Sequence, residues 1–119
     1  MPERVRPPED ISPIEFFTDW IPTSVAGDAS RRRRLGETRA AIVFVLEGAG
    51  EFTVHIAAGV VRGEVGRPSA HDLEVRVDLE TWRSLNRGEL SAPEALIRRR
   101  VRISGNFVLA LKLHLILGG

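Results

Sequence analysis

The residues of this chain that could do chemistry are scattered rather than grouped. Its three histidines, His55, His71 and His114, lie on different predicted elements, and only His71 has an acidic neighbour, Asp72. Neighbouring residues of an extended segment point apart, so this pair is not expected to share a metal ion. The chain has no cysteine, which excludes disulfides, thiolate nucleophiles and cysteine-ligated metals. We therefore predict neither a metal site nor a cofactor.

The common catalytic motifs are missing as well. There is no GxSxG, no phosphate-binding P-loop and no GxGxxG in the sequence. Acidic pairs such as Asp78 with Glu80 are explained by helix capping or by a solvated face. No nucleophile, base and orienting group come together, so the sequence favours a non-catalytic protein, with an enzyme of unrecognised site as the last alternative.

Arginines form two runs. In the run at residues 98–102, Arg100 and Arg102 alternate with apolar residues, which is typical of a solvated strand edge. The first run lies in residues 27–38, which we predict to be an exposed loop, and consists of Arg31, Arg32, Arg33 and Arg34. It is either simply solvated or a docking patch for anionic lipid headgroups. No aromatic residues interleave with these arginines, so nucleic acid is not expected as a partner.

Length and composition favour one domain. The chain has 119 residues and a net charge of +1, and its proline-rich and charged residues 1–11 predict a flexible tail before a domain at 12–119. No apolar run approaches the roughly 20 residues that span a bilayer. The N-terminus lacks the apolar segment of a signal peptide, so a cytoplasmic location is expected.

The hydrophobic pattern predicts a mixed fold. Apolar runs or alternating residues indicate strands at 40–48, 51–57, 60–65, 72–78 and 100–104. The first of these is apolar on both faces, which predicts a central strand that is covered on both sides. Helices are not inserted between every pair of strands, so we predict an α+β fold with a five-stranded, mostly antiparallel sheet and helices packed on one face.

Capping residues mark the shorter helices. Ser12 precedes a first helix that Pro22 should kink or end. Asp78 should cap a second helix ending at Gly88, and Ser91 a third.

The residues after Gly105 predict a terminal helix of twelve residues with two apolar faces. One face carries Phe107, Val108, Leu111 and Leu115, and the other carries Leu109, Ala110, Leu113, Ile116 and Leu117. A helix that is hydrophobic all round is normally buried. One face can cover the sheet, while the other requires further core, a homodimer partner or an apolar ligand.

The run from Asp72 to Leu113 resembles the sterol carrier protein-2 domain. The matching features are the strand DLEVRVD, the helix around Trp82, Gly88 to Leu90, Ala95, the strand VRISG and the closing segment ALKL. The segment from Ile11 to Gly66 fits the family more loosely. The chain continues to Gly118 and Gly119 without a peroxisomal tripeptide, which favours a prokaryotic, stand-alone member.

The resemblance implies non-catalytic binding or transfer of a hydrophobic lipid: a fatty acyl chain, a phospholipid, an isoprenoid or a sterol-like molecule. It implies a hydrophobic tunnel between sheet and helices, closed by the C-terminal helix. The residues expected to line it are Phe44, Phe52, Val54, Ile56, Trp82, Leu85, Leu96, Ile97, Phe107, Leu111 and Leu115. The alternatives are a dimerisation or interaction module and an accessory factor for isoprenoid quinone synthesis.

Overall fold

One sheet organises the chain, and helices lie against one of its faces. The computed structural model describes residues 6–117. The strands are β1 (Ala40–Glu47), β2 (Gly50–Ala57), β3 (Val60–Val65), β4 (Leu73–Asp78) and β5 (Val101–Gly105). The helices are α1 (Pro13–Glu15), α2 (Ile21–Ala26), α3 (Ala29–Leu35), α4 (Leu79–Arg87), α5 (Ala92–Ile97) and α6 (Phe107–Ala110), with a π-helical segment at Phe16–Trp20 and a 3₁₀ turn at Leu113–Leu115.

The sheet has the order β3-β2-β1-β4-β5, with β1 at its centre. β1 pairs with β4 in parallel, and the other three pairings are antiparallel. In β4 the apolar residues Leu73, Val75 and Val77 are buried towards the helices, as strict alternation requires. The predicted α+β fold with a five-stranded, mostly antiparallel sheet is confirmed.

The second apolar face of β1 is covered by charged side chains. Val43 and Val45 are buried on this face although they stand outside the main core. Their cross-strand neighbours include Glu51 on β2 and Glu74 on β4. The Arg67 guanidinium donates to both carboxylates and so crosses β1 between them. The predicted cover on both sides is therefore present, but on this face long ionic side chains supply it.

The N-terminal helix is capped as predicted but continues past Pro22. Ser12 Oγ accepts from the Glu15 N–H at 3.1 Å. Pro22 has no N–H, and the turn before it widens into the π-helical segment, in which the Ile21 N–H donates to the Phe16 carbonyl. The chain then remains helical through α2 to Ala26, so Pro22 marks a change of winding and not an end. Before this helix, Ile11 packs into the core, while residues 1–5 of the predicted tail lie outside the described residues.

A glycine on β3 lets this helical segment touch the sheet. A Cβ atom added to Gly63 would lie 1.8 Å from the Phe17 carbonyl oxygen. Only a residue without a side chain allows the two backbones this approach. The approach brings the Phe17 ring down onto β1 and β2.

The segment predicted as a loop at 27–38 contains a helix instead. The Asp28 carboxylate caps α3 by accepting from the Arg31 N–H at 3.1 Å, and α3 ends at Gly36, whose φ is +57°. Arginine and leucine have good helix propensity, so this capped segment of seven residues forms a helix. The prediction of a loop was wrong because a run of charged residues was interpreted as unstructured.

The predicted helices after β4 are confirmed. Asp78 caps α4, which ends at Gly88 in the left-handed conformation. The Ser91 hydroxyl caps α5 by accepting from the Glu94 N–H.

The prediction of a terminal helix of twelve residues is wrong. The segment forms the single turn of α6, an irregular turn and the 3₁₀ turn. This break turns Leu109, Leu115 and Ile116 together into the core. Ala110, Leu113 and Leu117 are half-buried against the same core. Three apolar residues of the segment remain exposed: Phe107, Val108 and Leu111.

Candidate functional site

An aromatic cluster fills the space between the covered face of the sheet and the N-terminal helices. The Phe17 ring centroid lies 4.9 Å from that of Phe44 and 5.0 Å from that of Phe52. Phe16 lies 5.2 Å from both Trp20 and Trp82. Offset and edge-to-face pairs at these separations are favourable beyond their burial. The cluster is the largest body of aromatic surface in the core.

Trp82 carries an unpaired polar atom in this cluster. Its side chain on α4 is 5% exposed, and its indole Nε1 is buried with no hydrogen-bond partner in the structure. The Arg83 guanidinium lies 5.4 Å from the ring centroid and contributes a cation–π contact. A buried N–H without an acceptor costs about 1–3 kcal/mol. An acceptor atom from a bound molecule would remove this cost.

Seven of the sequence-predicted wall residues lie in or beside this core. Four of them lie on the covered face of the sheet: Phe44, Phe52, Val54 and Ile56. Trp82 and Leu115 are buried in the same core, and Leu85 is half-buried. Their burial is equally that of ordinary core residues. Their role as ligand contacts stays a prediction.

The other four predicted wall residues do not reach the core. Leu96 and Ile97 are exposed because the short helix α5 packs through Ala95. Phe107 and Leu111 are exposed on the outer side of α6 and of the turn that follows it. These four exposed side chains therefore lie outside the core in which the other predicted wall residues meet.

Sequence reasoning missed the residues at the centre of the cluster. Neither Phe16 nor Phe17 is among the predicted wall residues. Two adjacent phenylalanines usually point apart on a helix, and here the wide π-helical turn buries both. The signal that could have indicated this is Pro22, which lies five positions after Phe17, the spacing of one π-helical turn.

Two clefts open at the surface of the molecule, and one of them borders the aromatic cluster at Trp20. The first has a volume of about 480 Å³ and is lined by residues of 19–31, including Trp20 and Arg31. The second has a volume of about 210 Å³ and lies between the start of β1 and α6. Neither cleft is lined by the four sheet residues of the predicted wall. The predicted tunnel therefore stays a proposal.

Arg31 is buried and joins α3 to the C-terminal segment. Its guanidinium donates to Asp28 Oδ2 at 2.9 Å, to the Ser24 carbonyl at 2.7 Å and to the Leu115 carbonyl at 3.3 Å. The backbone N–H of Arg31, followed by its guanidinium, holds the pKa of Asp28 below its usual value. Arg31 is thus unsuited to the predicted membrane-docking patch, because burial keeps it from a lipid surface. Arg32, Arg33 and Arg34 are exposed, and for them docking stays a prediction.

The histidines lie apart and pair with different groups. His55 Nε2 is 2.7 Å from Glu64 Oε1 on the charged face of the sheet, and this hydrogen bond is the main cause that lowers the pKa of Glu64. His114 Nε2 faces the Arg34 guanidinium at 3.2 Å. His71 is exposed before β4. Within residues 6–117, no group of three or more histidine and acidic side chains is arranged to hold a metal ion.

The sequence places this fold in a known family. The profile of the SCP-2 sterol transfer family matches residues 23–118. The chain belongs to this family. The predicted resemblance is thereby confirmed, and the match reaches back to residue 23, over most of the segment that fitted only loosely. Lipid binding or transfer is the general activity that membership indicates.

Solved structures share the fold at low sequence identity. The sec-alkylsulfatase Pisa1 from Pseudomonas sp. matches 92% of the chain at 18% identity, with a TM-score of 0.72, yet the chain spans only 17% of that enzyme. Palmitated SCP2L2 from Aedes aegypti matches 80% of the chain and 91% of its own length at 18% identity and a TM-score of 0.56. The UbiJ-SCP2 ubiquinone synthesis protein matches 82% of the chain and 86% of its own length at 13% identity and a TM-score of 0.62.

No curated protein matches the sequence significantly. Among the described residues, no helix has both the length and the apolar character needed to cross a membrane.

Proposed function

We propose that this chain binds one lipid with a long apolar chain between the covered face of its sheet and its helices, and that it acts as a carrier. The ligand would be held without covalent chemistry, in contact with the aromatic cluster around Phe16 and Phe17. The observation that carries the proposal is the buried indole N–H of Trp82, which lacks an acceptor within an apolar cluster.

The apolar contact would provide most of the affinity. Burying a chain of about 16 carbons is worth roughly 12 kcal/mol in gross terms, at about 0.8 kcal/mol for each methylene. Association costs about 4–15 kcal/mol in lost freedom, so the net affinity depends on how fully the chain is buried. One hydrogen bond from Trp82 would add only about 1 kcal/mol. Its role would be to orient an oxygen-bearing end of the ligand.

The C-terminal segment is the natural entrance. It consists of one α-helical turn and one 3₁₀ turn, so few helical hydrogen bonds oppose its displacement. Leu109, Leu115 and Ile116 contribute the core contacts that would open. Displacement of this segment would expose the covered face of the sheet to an incoming acyl chain.

Two more specific assignments belong with this proposal. The similarity to a ubiquinone synthesis protein supports an isoprenoid ligand and an accessory role in quinone formation. The similarity to a part of a sec-alkylsulfatase supports a module that presents alkyl chains to an enzyme. Both assignments use the same lipid site, and they differ in the ligand that purifies with the chain. A homodimer without a bound lipid is the remaining alternative.

Native mass spectrometry of the purified chain tests the proposal. We expect a monomer that carries one lipid, or that takes up one palmitate when the lipid is supplied after extraction with organic solvent. The mass of the extracted molecule would distinguish an acyl lipid from an isoprenoid. A folded chain that neither carries nor takes up palmitate or a polyprenyl quinone would contradict the proposal.

A further inference from the structure

Three neighbouring apolar side chains on the C-terminal segment have no cover. Phe107, Val108 and Leu111 are 71%, 67% and 65% exposed, and their spacing places them on one side of α6 and the turn that follows. Isolated exposed apolar residues are ordinary, but a contiguous group of this size marks a contact surface.

Basic side chains flank this apolar group on both sides. On one side, the His114 ring joins Leu111 to α3: its Nδ1 lies 3.0 Å from the Leu111 carbonyl oxygen, and its Nε2 lies 3.2 Å from the Arg34 guanidinium. On the other side, Val108 lines the cleft of about 210 Å³ together with Arg39 and Lys112. Lys112 donates to the Thr38 hydroxyl at 2.9 Å, which holds its ammonium group beside the cleft.

Basic side chains outnumber acidic ones at this end of the sheet. Asp28 is paired with Arg31. Asp72 also lines the cleft, but its carboxylate accepts from the Ala41 N–H at 2.9 Å. Glu37 is exposed. The exposed arginines of α3 therefore leave this end of the molecule positively charged.

We propose that this C-terminal docking surface, formed by Phe107, Val108, Leu111, Arg34, Arg39 and Lys112, binds the surface of an anionic phospholipid bilayer. The three apolar side chains enter the interfacial region, and the flanking cations meet lipid phosphates. A second copy of this chain is a poorer occupant, because a two-fold contact would bring two positively charged surfaces together.

The docking surface lies on the outer side of the segment whose inner side closes the core. Phe107, Val108 and Leu111 face outwards, while Leu109 and Leu115 are buried in the core. Contact with a bilayer would therefore act on the segment that must move for lipid exchange. This coupling rests on the proposed function, whereas docking itself does not require it.

Vesicle co-sedimentation tests the docking surface. The full chain is mixed with phosphatidylcholine vesicles, with and without about one third phosphatidylglycerol. We expect binding to the anionic vesicles, and at least about a tenfold loss of affinity for Leu111→Glu, which loses an apolar anchor and gains a repelled charge. Raising the ionic strength from about 0.1 M to about 1 M should weaken binding, since the Debye length shortens from about 10 Å to about 3 Å.

Val65→Glu is the matched control. Val65 is 63% exposed, close to the 65% of Leu111, but it lies at the end of β3, at the opposite end of the sheet. This variant should bind anionic vesicles as the wild type does. Phe107→Ser is the second variant, for use if Leu111→Glu does not fold, and it should also weaken binding.

Three results would overturn the proposal. The first is equal sedimentation of the wild type with neutral and anionic vesicles. The second is an equal loss of binding in Val65→Glu and Leu111→Glu. The third is a dimer that forms without vesicles and dissociates on Leu111→Glu, which would assign the surface to a second copy. Palmitate uptake is measured separately, so a failure of docking leaves the proposed lipid site intact.

Discussion

The Arg31 guanidinium donates a hydrogen bond to the carbonyl oxygen of Leu115, 84 positions further along the chain and 3.3 Å away. The same guanidinium holds Asp28 and the Ser24 carbonyl. One buried cation thus ties the C-terminal segment to the two helices that precede the sheet. The segment contains little helical structure of its own, so this tie contributes to keeping it in place.

Replacing Arg31 should loosen the C-terminal segment. Arg31→Met keeps most of the side-chain volume but leaves the Ser24 and Leu115 carbonyls without their donor, and we expect a loss of about 2 kcal/mol in the free energy of unfolding. Urea unfolding measures the loss, and hydrogen exchange should show faster exchange at residues 113–117. Arg32→Met, at the exposed neighbouring position, should change stability by less than about 0.5 kcal/mol. Equal effects of the two substitutions would contradict the assigned role of Arg31.

Asp78 should make stability depend on pH in the acid range. The Thr81 backbone N–H and hydroxyl bind its carboxylate, and the backbone hydrogen bond is the larger cause of a pKa below the usual value. Because the folded state lowers this pKa, the stabilisation is fully present above the unfolded pKa of about 4 and is lost as the pH falls through the folded value. We expect Asp78→Ala to cost about 1 kcal/mol at pH 7.

Unfolding at several pH values checks this prediction. The difference between wild type and Asp78→Ala should shrink as the pH falls from about 5 towards 2, because both carboxyl-dependent hydrogen bonds weaken on protonation. Glu80→Ala, at an exposed position of the same helix, is the control and should show little difference at pH 7. A cost for Asp78→Ala that is the same at all pH values would rule out the ionised cap as its source.

Gly63 should tolerate no side chain. A methyl group on this residue would collide with the Phe17 carbonyl oxygen, so Gly63→Ala must push the N-terminal helix away from β3. We expect a loss of about 1–3 kcal/mol, typical of overpacking, measured as a lower midpoint of denaturant unfolding. Gly27→Ala is the control, because its added methyl group would meet only ordinary contacts, the nearest at 3.6 Å. If Gly27→Ala costs as much as Gly63→Ala, the close approach is not the cause.

Trp82 should contribute to ligand orientation through its indole N–H. Trp82→Phe keeps an aromatic ring but removes the donor, and we expect palmitate to bind about threefold to tenfold more weakly, the value of one hydrogen bond. Trp20→Phe is the matched control, because Trp20 also packs on Phe16 with ring centroids 5.2 Å apart but is only half-buried. Titration of the two variants with palmitate measures the effect. If the two variants bind palmitate with equal affinity, the indole N–H of Trp82 does not contribute to ligand binding.

The strands and the helix caps could be predicted from the sequence because they depend on local patterns. The alternation of Leu73, Val75 and Val77 fixes which face of β4 is buried, and Asp78 and Gly88 mark both ends of α4. The end of the chain could not be predicted in this way. Its apolar residues fit a helix at every position, and only the tertiary contacts of Leu109, Leu115 and Ile116 decide where the helix breaks.

The candidate site was predictable only in part, for the same reason. Phe52 on β2 follows from strand alternation, and Phe44 lies on the central strand, which the sequence already shows to be apolar on both faces. Phe17 reaches them because Gly63, 46 positions later, admits the helix backbone, and no local pattern reports such a distant contact. The burial of Arg31 likewise depends on the Leu115 carbonyl at the other end of the chain. Long-range packing overrides the usual exposure of arginine here.

The central claim is that a lipid chain occupies the aromatic cluster, and fluorescence quenching by a brominated fatty acid tests it most directly. In Trp20→Phe, the remaining indole is Trp82, so dibromostearate that enters the cluster must quench its emission. We predict saturable quenching at one fatty acid per chain, in the absence of vesicles and with lipid-free protein. Emission that stays unchanged while the folded, lipid-free protein is titrated with dibromostearate would contradict the claim.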